Sequence, residues 1–265
     1  MKNKTERQKI VYYTDELNDE FSTAKIKAKK IDAGYKYIRD GFFSRVFSFV
    51  LYRLLFMPFS FLALKIAYGI KIKGREKIKK EKRGYFLYGN HTNAGADPFI
   101  PTFVSFCKKV FVIVHPANVS MPILGRLNPY LGALPLPDDM AATQNFVSAV
   151  KLRISQNRAV CIYPEAHIWP YCTEIRNFSD ASFRYPVKYG APSYCFTTVY
   201  TKRKHTKRPK MTIYVDGPFF ADKNLSPAEA KQKLRNEVFA AMKKRSELSD
   251  YDGVIYVKAE EKPND

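Results

Sequence analysis

The sequence predicts an α/β fold in which a mixed, mostly parallel sheet is flanked by helices. Two observations favour this class: short apolar runs alternate with amphipathic helical patterns from residue 85 onward, and 46% hydrophobic with 26% charged residues is typical of a folded chain. The same patterns divide the 265 residues into an N-terminal arm (1–34), a helical segment with a basic sequel (35–84) and the α/β domain (85–265).

Apolar runs predict the strands of the sheet. They cover residues 85–89, 110–114, 133–136, 160–163, 194–200 and 211–215. Helical patterns lie at 98–106, 121–131, 138–156, 180–189 and 225–244. Ser226 and Pro227 have the residue types of an N-cap and a first helical position, and Gly190 suits a helix C-terminus.

The arm, residues 1–34, is polar and mixed in charge, with one small apolar cluster at 10–13. We expect an extended arm or short helices lying on the α/β domain. No apolar segment typical of a secretory signal is seen near the start, and Cys107, Cys161, Cys172 and Cys195 form no C-x-x-C pair. Reduced thiols in the cytosol are therefore expected, and a zinc finger is not.

Residues 41–64, GFFSRVFSFVLYRLLFMPFSFLAL, are rich in aromatics and carry only two charges, Arg45 and Arg53. A charge near the bilayer centre costs at least about 2.5–3.5 kcal/mol, and Pro58 interrupts the second half. The segment therefore predicts a bent amphipathic helix that lies in the membrane interface, with its arginines reaching the headgroups. The alternative is a buried core helix.

The net charge is +20, from 45 Lys and Arg against 25 Asp and Glu, and it predicts a polyanionic partner. Residues 71–83 hold eight basic and two acidic side chains directly after the aromatic segment. Residues 1–84 hold 21 basic and 9 acidic ones, so 21 − 9 = 12 of the 20 excess charges lie there. This order favours an anionic membrane surface over nucleic acid, for which no motif is found. A basic stretch can also be a solvated face.

Polar residues follow two of the predicted strands. His91 and Asp97 follow the first strand, and Glu165 and His167 follow the strand at 160–163. Ligands of open α/β sheets bind beyond the carboxyl ends of strands, so these side chains can converge. A histidine that is oriented by a carboxylate acts as a general base. Asp97 before Pro98 can also be a helix N-cap, and His91 an ordinary loop histidine.

Two other classes of function stay open from the residues alone. The same four side chains could ligate a metal in a hydrolase, although no H-E-x-x-H or similar spacing is present. A non-enzymatic protein that binds nucleic acid or membrane through its basic loop, residues 202–210, is the other class.

Four blocks of the sequence, in order, resemble the PlsC-type glycerolipid acyltransferase family. The blocks are NHTNAGAD (90–97), MPILGRLNPYLGALPL (121–136), YPEAHIW (163–169) and FRYPVKYGAPSYCFTTVY (183–200), followed by VDGPF (215–219). The family's membrane-binding N-terminal helices match residues 41–64. The resemblance implies an acyltransferase with His91 as base and Asp97 as its orienting carboxylate.

The sequence departs from the family pattern at three places. Five residues separate His91 from Asp97, where the family has four. Asp138 stands at the arginine position of the second block, and His167 and Ile168 stand where the third block has Thr-Arg. The arginines that the family uses for the acceptor phosphate are therefore missing. Acceptors without phosphate, such as glycolipids or polyols, stay open, and we consider four other cations as replacements: Arg126, Arg176, Arg184 and Lys188.

The resemblance implies direct acyl transfer from acyl-CoA or acyl carrier protein, as a co-substrate, to a lysolipid hydroxyl. It implies no cofactor and no metal. Glu165 would bind acceptor hydroxyls or shape the site, His167 would contact the acceptor, and Arg126 and Arg184 are candidate acceptor contacts. Backbone amides of residues 93–96 would hold the oxyanion. The expected location is the cytoplasmic face of the cell membrane, peripheral or monotopic; no oligomeric state is predicted.

Overall fold

The structure is a computed structural model that describes residues 8–22, 26–106, 108–204, 206 and 208–259. Cys107 lies outside the described residues. The strands are β1 (Lys9–Tyr13), β2 (Lys71–Lys73), β3 (Tyr85–Gly89), β4 (Val110–Val114), β5 (Ala133–Pro135), β6 (Ala159–Ile162), β7 (Ser193–Thr201), β8 (Lys210–Phe219) and β9 (Val254–Lys258). The helices are α1 (Phe42–Phe49), α2 (Met57–Tyr68), α3 (Arg75–Lys79), α4 (Ile100–Val104), α5 (Leu124–Leu131), α6 (Met140–Ser155), α7 (Arg184–Tyr189) and α8 (Pro227–Ser246).

The main sheet has the strand order β2-β8-β7-β3-β6-β4-β5. Adjacent strands of this sheet run parallel to each other except β7 and β8, which are antiparallel. The predicted class, a mixed and mostly parallel sheet, is therefore confirmed. β3 lies in the middle of the sheet, and all five of its residues are buried, as expected for a strand covered on both faces.

Helices cover both faces of this sheet. Phe86 and Tyr88 of β3 belong to the core cluster that also contains Phe146 of α6 and Leu234 of α8. Tyr85 and Leu87, which alternate with them along the strand, belong to a second cluster with side chains of α2, α3 and α4. The loop that follows β3 therefore starts at the carboxyl end of the middle strand, between the two helical layers.

Local signals for helix ends agree with the structure. Ser226 accepts from the backbone of Glu229, whose carboxylate accepts from the backbone of Ser226, which is a complete capping box at α8. Gly190 ends α7 in the left-handed region, with φ of 58°. The helix expected at 98–106 is shorter, Ile100–Val104, and Asp97 does not cap it. The N-cap interpretation of Asp97 is wrong, because its carboxylate turns back to His91.

Residues 42–68, which include the aromatic segment, form one uninterrupted helical stretch, called the helical rod below. In it a π-helical stretch, Val50–Phe56, joins α1 to α2. Pro58 lies in the first turn of α2, directly after this stretch, and the wider π-helical turn gives room for a ring that would clash in a regular α-helix. Phe42–Ile66 is long and apolar enough to cross a membrane by length and composition, and only 11% of its most apolar window is buried. Burial this small does not fit the core-helix alternative.

Arg53 does not extend away from the protein as expected. Its Nη1 donates to the carbonyl oxygen of Phe106, 3.3 Å away, and contacts the sulfur of Met57. This arginine fastens the rod to the α/β domain, whereas Arg45 is exposed and stays available to headgroups. The prediction that both arginines snorkel is therefore wrong for Arg53.

Candidate active site

His91 and Asp97 meet in the loop after β3. His91 Nδ1 lies 2.7 Å from Asp97 Oδ2. The Asp97 side chain is 1% exposed and that of His91 is 18% exposed, so the ring reaches solvent and the carboxylate does not. A carboxylate against Nδ1 favours the tautomer that carries its proton there, which leaves the lone pair of Nε2 available for a proton from an incoming hydroxyl.

A tight turn absorbs the additional residue between the two. The Asn93 amide oxygen accepts from the backbone nitrogens of Gly95 and Ala96, at 3.1 and 3.0 Å, and Asn93 N donates to Asp97 Oδ2 at 2.9 Å. A Cβ on Gly95 would meet the Tyr68 hydroxyl oxygen, so a larger residue there would require the Tyr68 side chain to shift. Three of the four amides expected to hold the oxyanion, at positions 93, 95 and 96, already donate within the loop. For the amide of Ala94 the expectation stays a prediction.

Tyr163 is a residue that sequence reasoning missed. Its ring stacks on the His91 ring with centroids 4.4 Å apart, and its hydroxyl donates to the backbone oxygen of Asp97 at 2.6 Å. β3 and β6 are parallel neighbours with Tyr88 opposite Ile162. The rings of His91 and Tyr163 therefore lie beyond the carboxyl ends of two adjacent strands. The available signal was the position of Tyr163 at the end of a predicted strand. Stacking and hydrogen bonding together fix the His91 ring plane.

Glu165 is buried beneath the loop that carries His91. Its Oε2 accepts from His91 N at 3.0 Å and from Arg176 Nη2 at 3.2 Å, and its Oε1 accepts from Arg176 N at 3.1 Å. Burial raises the pKa of the Glu165 carboxyl above its ordinary value, and the Arg176 guanidinium opposes that rise. With none of its side chain exposed, Glu165 cannot reach an acceptor hydroxyl in this state. The structure favours its alternative role of shaping the site.

The N-terminal arm contacts both positions where the family pattern has arginine. Asp138 accepts from the backbone of Ile31 at 2.6 Å. Glu20 contacts His167 Nδ1 at 3.3 Å and accepts from Ile168 N at 3.3 Å. His167, predicted to contact the acceptor, is therefore paired with a carboxylate of the arm. Asp138 therefore binds the arm through its side chain, and Ile168 binds it through its backbone.

Arg126 and Arg184, two of the other candidate cations, lie apart from the dyad's hydrogen-bond network. Arg126 is exposed on α5, and Arg184 is exposed on α7, where its Nη2 donates to the Tyr185 hydroxyl at 2.9 Å. Their proposed contact with the acceptor stays a prediction. Arg176 is held by Glu165 and by the backbone oxygen of His167, so it is not available to a substrate.

A cleft of about 350 Å³ adjoins the dyad loop. Its lining consists of Tyr68, Tyr171, Arg203, Thr206, Arg208, Pro209 and Met211. No three His, Cys, Asp or Glu side chains gather as metal ligands within the described part of the chain. Asp97 is held by His91, Glu165 by Arg176 and His167 by Glu20, so the metal-hydrolase alternative has no geometric support.

Comparison with known proteins shows which enzyme family the chain resembles. Residues 69–200 match the family model described as Acyltransferase. Among solved structures, the chain is similar to the 1-acyl-sn-glycerophosphate (LPA) acyltransferase PlsC from Thermotoga maritima, with a TM-score of 0.56 and 17% identity. That similarity covers 77% of this chain and 87% of the other, and at this identity it concerns the fold. A search of curated protein sequences gave no match.

Proposed function

Since this chain is a PlsC-like acyltransferase, we propose that it moves a fatty acyl group from a thioester, acyl-CoA or acyl carrier protein, to a hydroxyl of a lysophospholipid or related glycerolipid. The contact of His91 Nδ1 with the buried Asp97 carboxylate carries the proposal, because it leaves Nε2 as a base at an open face. The structural relative is described as an acyltransferase of 1-acyl-sn-glycerophosphate, which supports a glycerolipid acceptor.

In the proposed reaction, His91 Nε2 takes the proton of the acceptor hydroxyl while its oxygen attacks the thioester carbonyl. The tetrahedral intermediate collapses, the carbon–sulfur bond breaks, and the departing thiolate takes the proton back from His91. Asp97 stabilises the imidazolium between these steps, and the stacked ring of Tyr163 keeps its plane. General-base catalysis of this kind contributes about 10²–10⁴ in rate. No acyl-enzyme forms, so no cysteine takes part.

The site acts at a membrane in this proposal. The helical rod presents a band of exposed large apolar side chains, namely Phe42, Phe43, Val46, Phe47, Phe49, Val50, Leu54, Leu55, Phe59, Phe61, Leu62 and Ile66. A continuous exposed band of this size is typical of a lipid or protein contact, and the net charge of +20 favours an anionic leaflet. The enzyme would then lie on the cytoplasmic face of the cell membrane as a peripheral or monotopic protein, with lipid as its partner.

An acceptor panel tests the proposal. Labelled acyl-CoA is offered with lysophosphatidic acid, other lysophospholipids, monoacylglycerol and glycolipids in detergent micelles, and the products are identified by lipid analysis. Acylation of at least one acceptor is expected, with loss of turnover in His91→Ala. The exposed His115 supplies the matched control, His115→Ala, which should keep full activity. Undiminished turnover in His91→Ala would refute the assignment of the base.

A further inference from the structure

The cleft beside the dyad loop is built on the loop itself. The Tyr68 hydroxyl lies over Gly95, close enough that a Cβ there would come within 2.4 Å of it. Tyr171 N donates to the backbone oxygen of Thr92 at 2.8 Å. The Asn93 side chain contacts the sulfur of Met211 at 3.9 Å. Three lining residues of the cleft therefore touch the segment that separates His91 from Asp97.

Two guanidinium groups line this cleft, and the lining contains no acidic side chain. Arg203 and Arg208 are both exposed, and neither forms an ion pair with a carboxylate in the described part of the chain. The stretch from Thr201 to Lys210 contains six Lys or Arg residues and no Asp or Glu. The lining also includes the hydroxyl-bearing residues Tyr68, Tyr171 and Thr206. Positive charge therefore lines the same cleft as the three residues that touch the catalytic loop.

We propose that this cleft binds the phosphate monoester of a substrate, with Arg208 and Arg203 as its cationic ligands. This inference rests on the proposed acyl transfer to lipid. A planar guanidinium group can donate two parallel hydrogen bonds to phosphate oxygens, and the tyrosine hydroxyls add neutral donors. A volume of about 350 Å³ lies within the range of small-molecule sites and accommodates a glycerol phosphate headgroup. The phosphate belongs either to the acceptor headgroup or to the donor's coenzyme.

Arg203 also has a structural task. Its Nη2 donates at 3.1 Å to the backbone oxygen of Tyr68, the last residue of α2, where a cation complements the helix dipole. Arg208 donates to no such carbonyl within the described residues, and its backbone nitrogen donates to Thr206 Oγ1 at 3.0 Å, which shapes the loop. Arg208 is therefore the residue whose loss isolates anion binding from helix capping.

Direct binding tests the site without any acyl transfer. Inorganic phosphate and glycerol 3-phosphate are titrated into the full-length protein by calorimetry, with glycerol as the uncharged reference. Arg208→Gln should raise the Kd of both phosphate compounds by about 10- to 100-fold. Lys204→Gln removes one charge from the same loop outside the cleft, so it should change the Kd by less than about twofold. Equal weakening by the two variants, or equal binding of glycerol and glycerol 3-phosphate, would overturn the proposal.

Kinetics then separate the two sources of phosphate. If the acceptor supplies it, Arg208→Gln lowers the preference for lysophosphatidic acid over monoacylglycerol, measured as the ratio of kcat/KM values, by about 10-fold or more. If the donor supplies it, the variant lowers the preference for acyl-CoA over acyl-pantetheine instead. A variant that alters neither preference would contradict the inference. Phosphate binding without any acyl transfer would instead count against the proposed function, and the inferred phosphate site would still stand.

Discussion

Replacing Glu165 by Gln should destabilise the whole protein, because this carboxylate is the only counter-charge that contacts Arg176 in the described part of the chain. Arg176 is 3% exposed, its guanidinium packs over the Trp169 ring at 4.7 Å, and its Nη2 is shared between Glu165 and the backbone oxygen of His167. The amide of Gln keeps the shape of the side chain and removes its charge. The substitution thus leaves the buried guanidinium of Arg176 without the carboxylate that balances its charge.

The magnitude follows from the three hydrogen bonds that the carboxylate accepts, from His91 N, Arg176 N and Arg176 Nη2. Hydrogen bonds to charged groups are worth about 1.5–3 kcal/mol each, and removing one partner of a buried ion pair costs about 3–5 kcal/mol. A domain of this kind is stable by about 5–15 kcal/mol. The variant should therefore lose about a fifth or more of its free energy of unfolding.

Urea unfolding followed by tryptophan fluorescence measures this loss. Trp169 is the chain's one tryptophan, and it is buried against Arg176, so its emission reports on this region. Glu174→Gln, an exposed substitution in the same loop, is the matched control and should change the free energy of unfolding by less than about 0.5 kcal/mol. Adding Arg176→Met to Glu165→Gln should restore part of the loss, because the unpaired charge is removed.

The opposite result has a definite meaning. If Glu165→Gln unfolds at the same urea concentration as the wild type while the KM for the acceptor rises, then Glu165 contacts the acceptor. The account of this carboxylate as a brace beneath His91 would then be refuted.

Three further outcomes are expected. Asp97→Asn should lower kcat by about 10²–10⁴, measured with the best acceptor, because the imidazolium loses its counter-charge. Burial, followed by repulsion from Arg153 and Arg158, lowers the pKa of Lys109 to about 7, so the unfolded chain binds the proton more tightly. Between about pH 7 and 10 the free energy of unfolding should therefore rise with pH, by up to about 1.4 kcal/mol per unit, and Lys109→Met should flatten this dependence in urea titrations. Phe43→Ser, at a side chain that is 85% exposed, should reduce co-sedimentation with anionic liposomes about 10-fold or more, since a buried Phe contributes about 1.5–3 kcal/mol.

Each of these has a result that would contradict it. Asp97→Asn at more than a tenth of wild-type kcat argues against a dyad. An unchanged pH slope in Lys109→Met shows that other groups cause the slope. For liposome binding the matched control is Leu248→Ser, at an exposed leucine after α8; equal losses in both variants would mean that the helical rod has no special role.

Sequence patterns predicted the six strands β3 to β8 but not the strands β1, β2 and β9. Five residues of β3, the capping box of α8 and the glycine after α7 depend on neighbours within a few positions, and such signals are written in the sequence itself. The helix at 98–106 was predicted too long because Asp97 had two possible partners, the amides of a helix start and the ring of His91. Only the folded loop decides between them.

The sequence by itself determined the chemical types at the site and their order along the chain: a histidine and a carboxylate after one strand, and a glutamate after another. Tertiary structure alone decided what each of them does. The partners of Glu165, His167 and Asp138 lie 11 to 147 residues away, and contacts over such distances depend on strand pairing and packing, which no local pattern encodes. For the same reason the position of the basic loop against the dyad could not be foreseen. Its charge was visible in the sequence, and its place at the cleft beside the dyad loop depends on the pairing of β7 and β8 and on the end of α2.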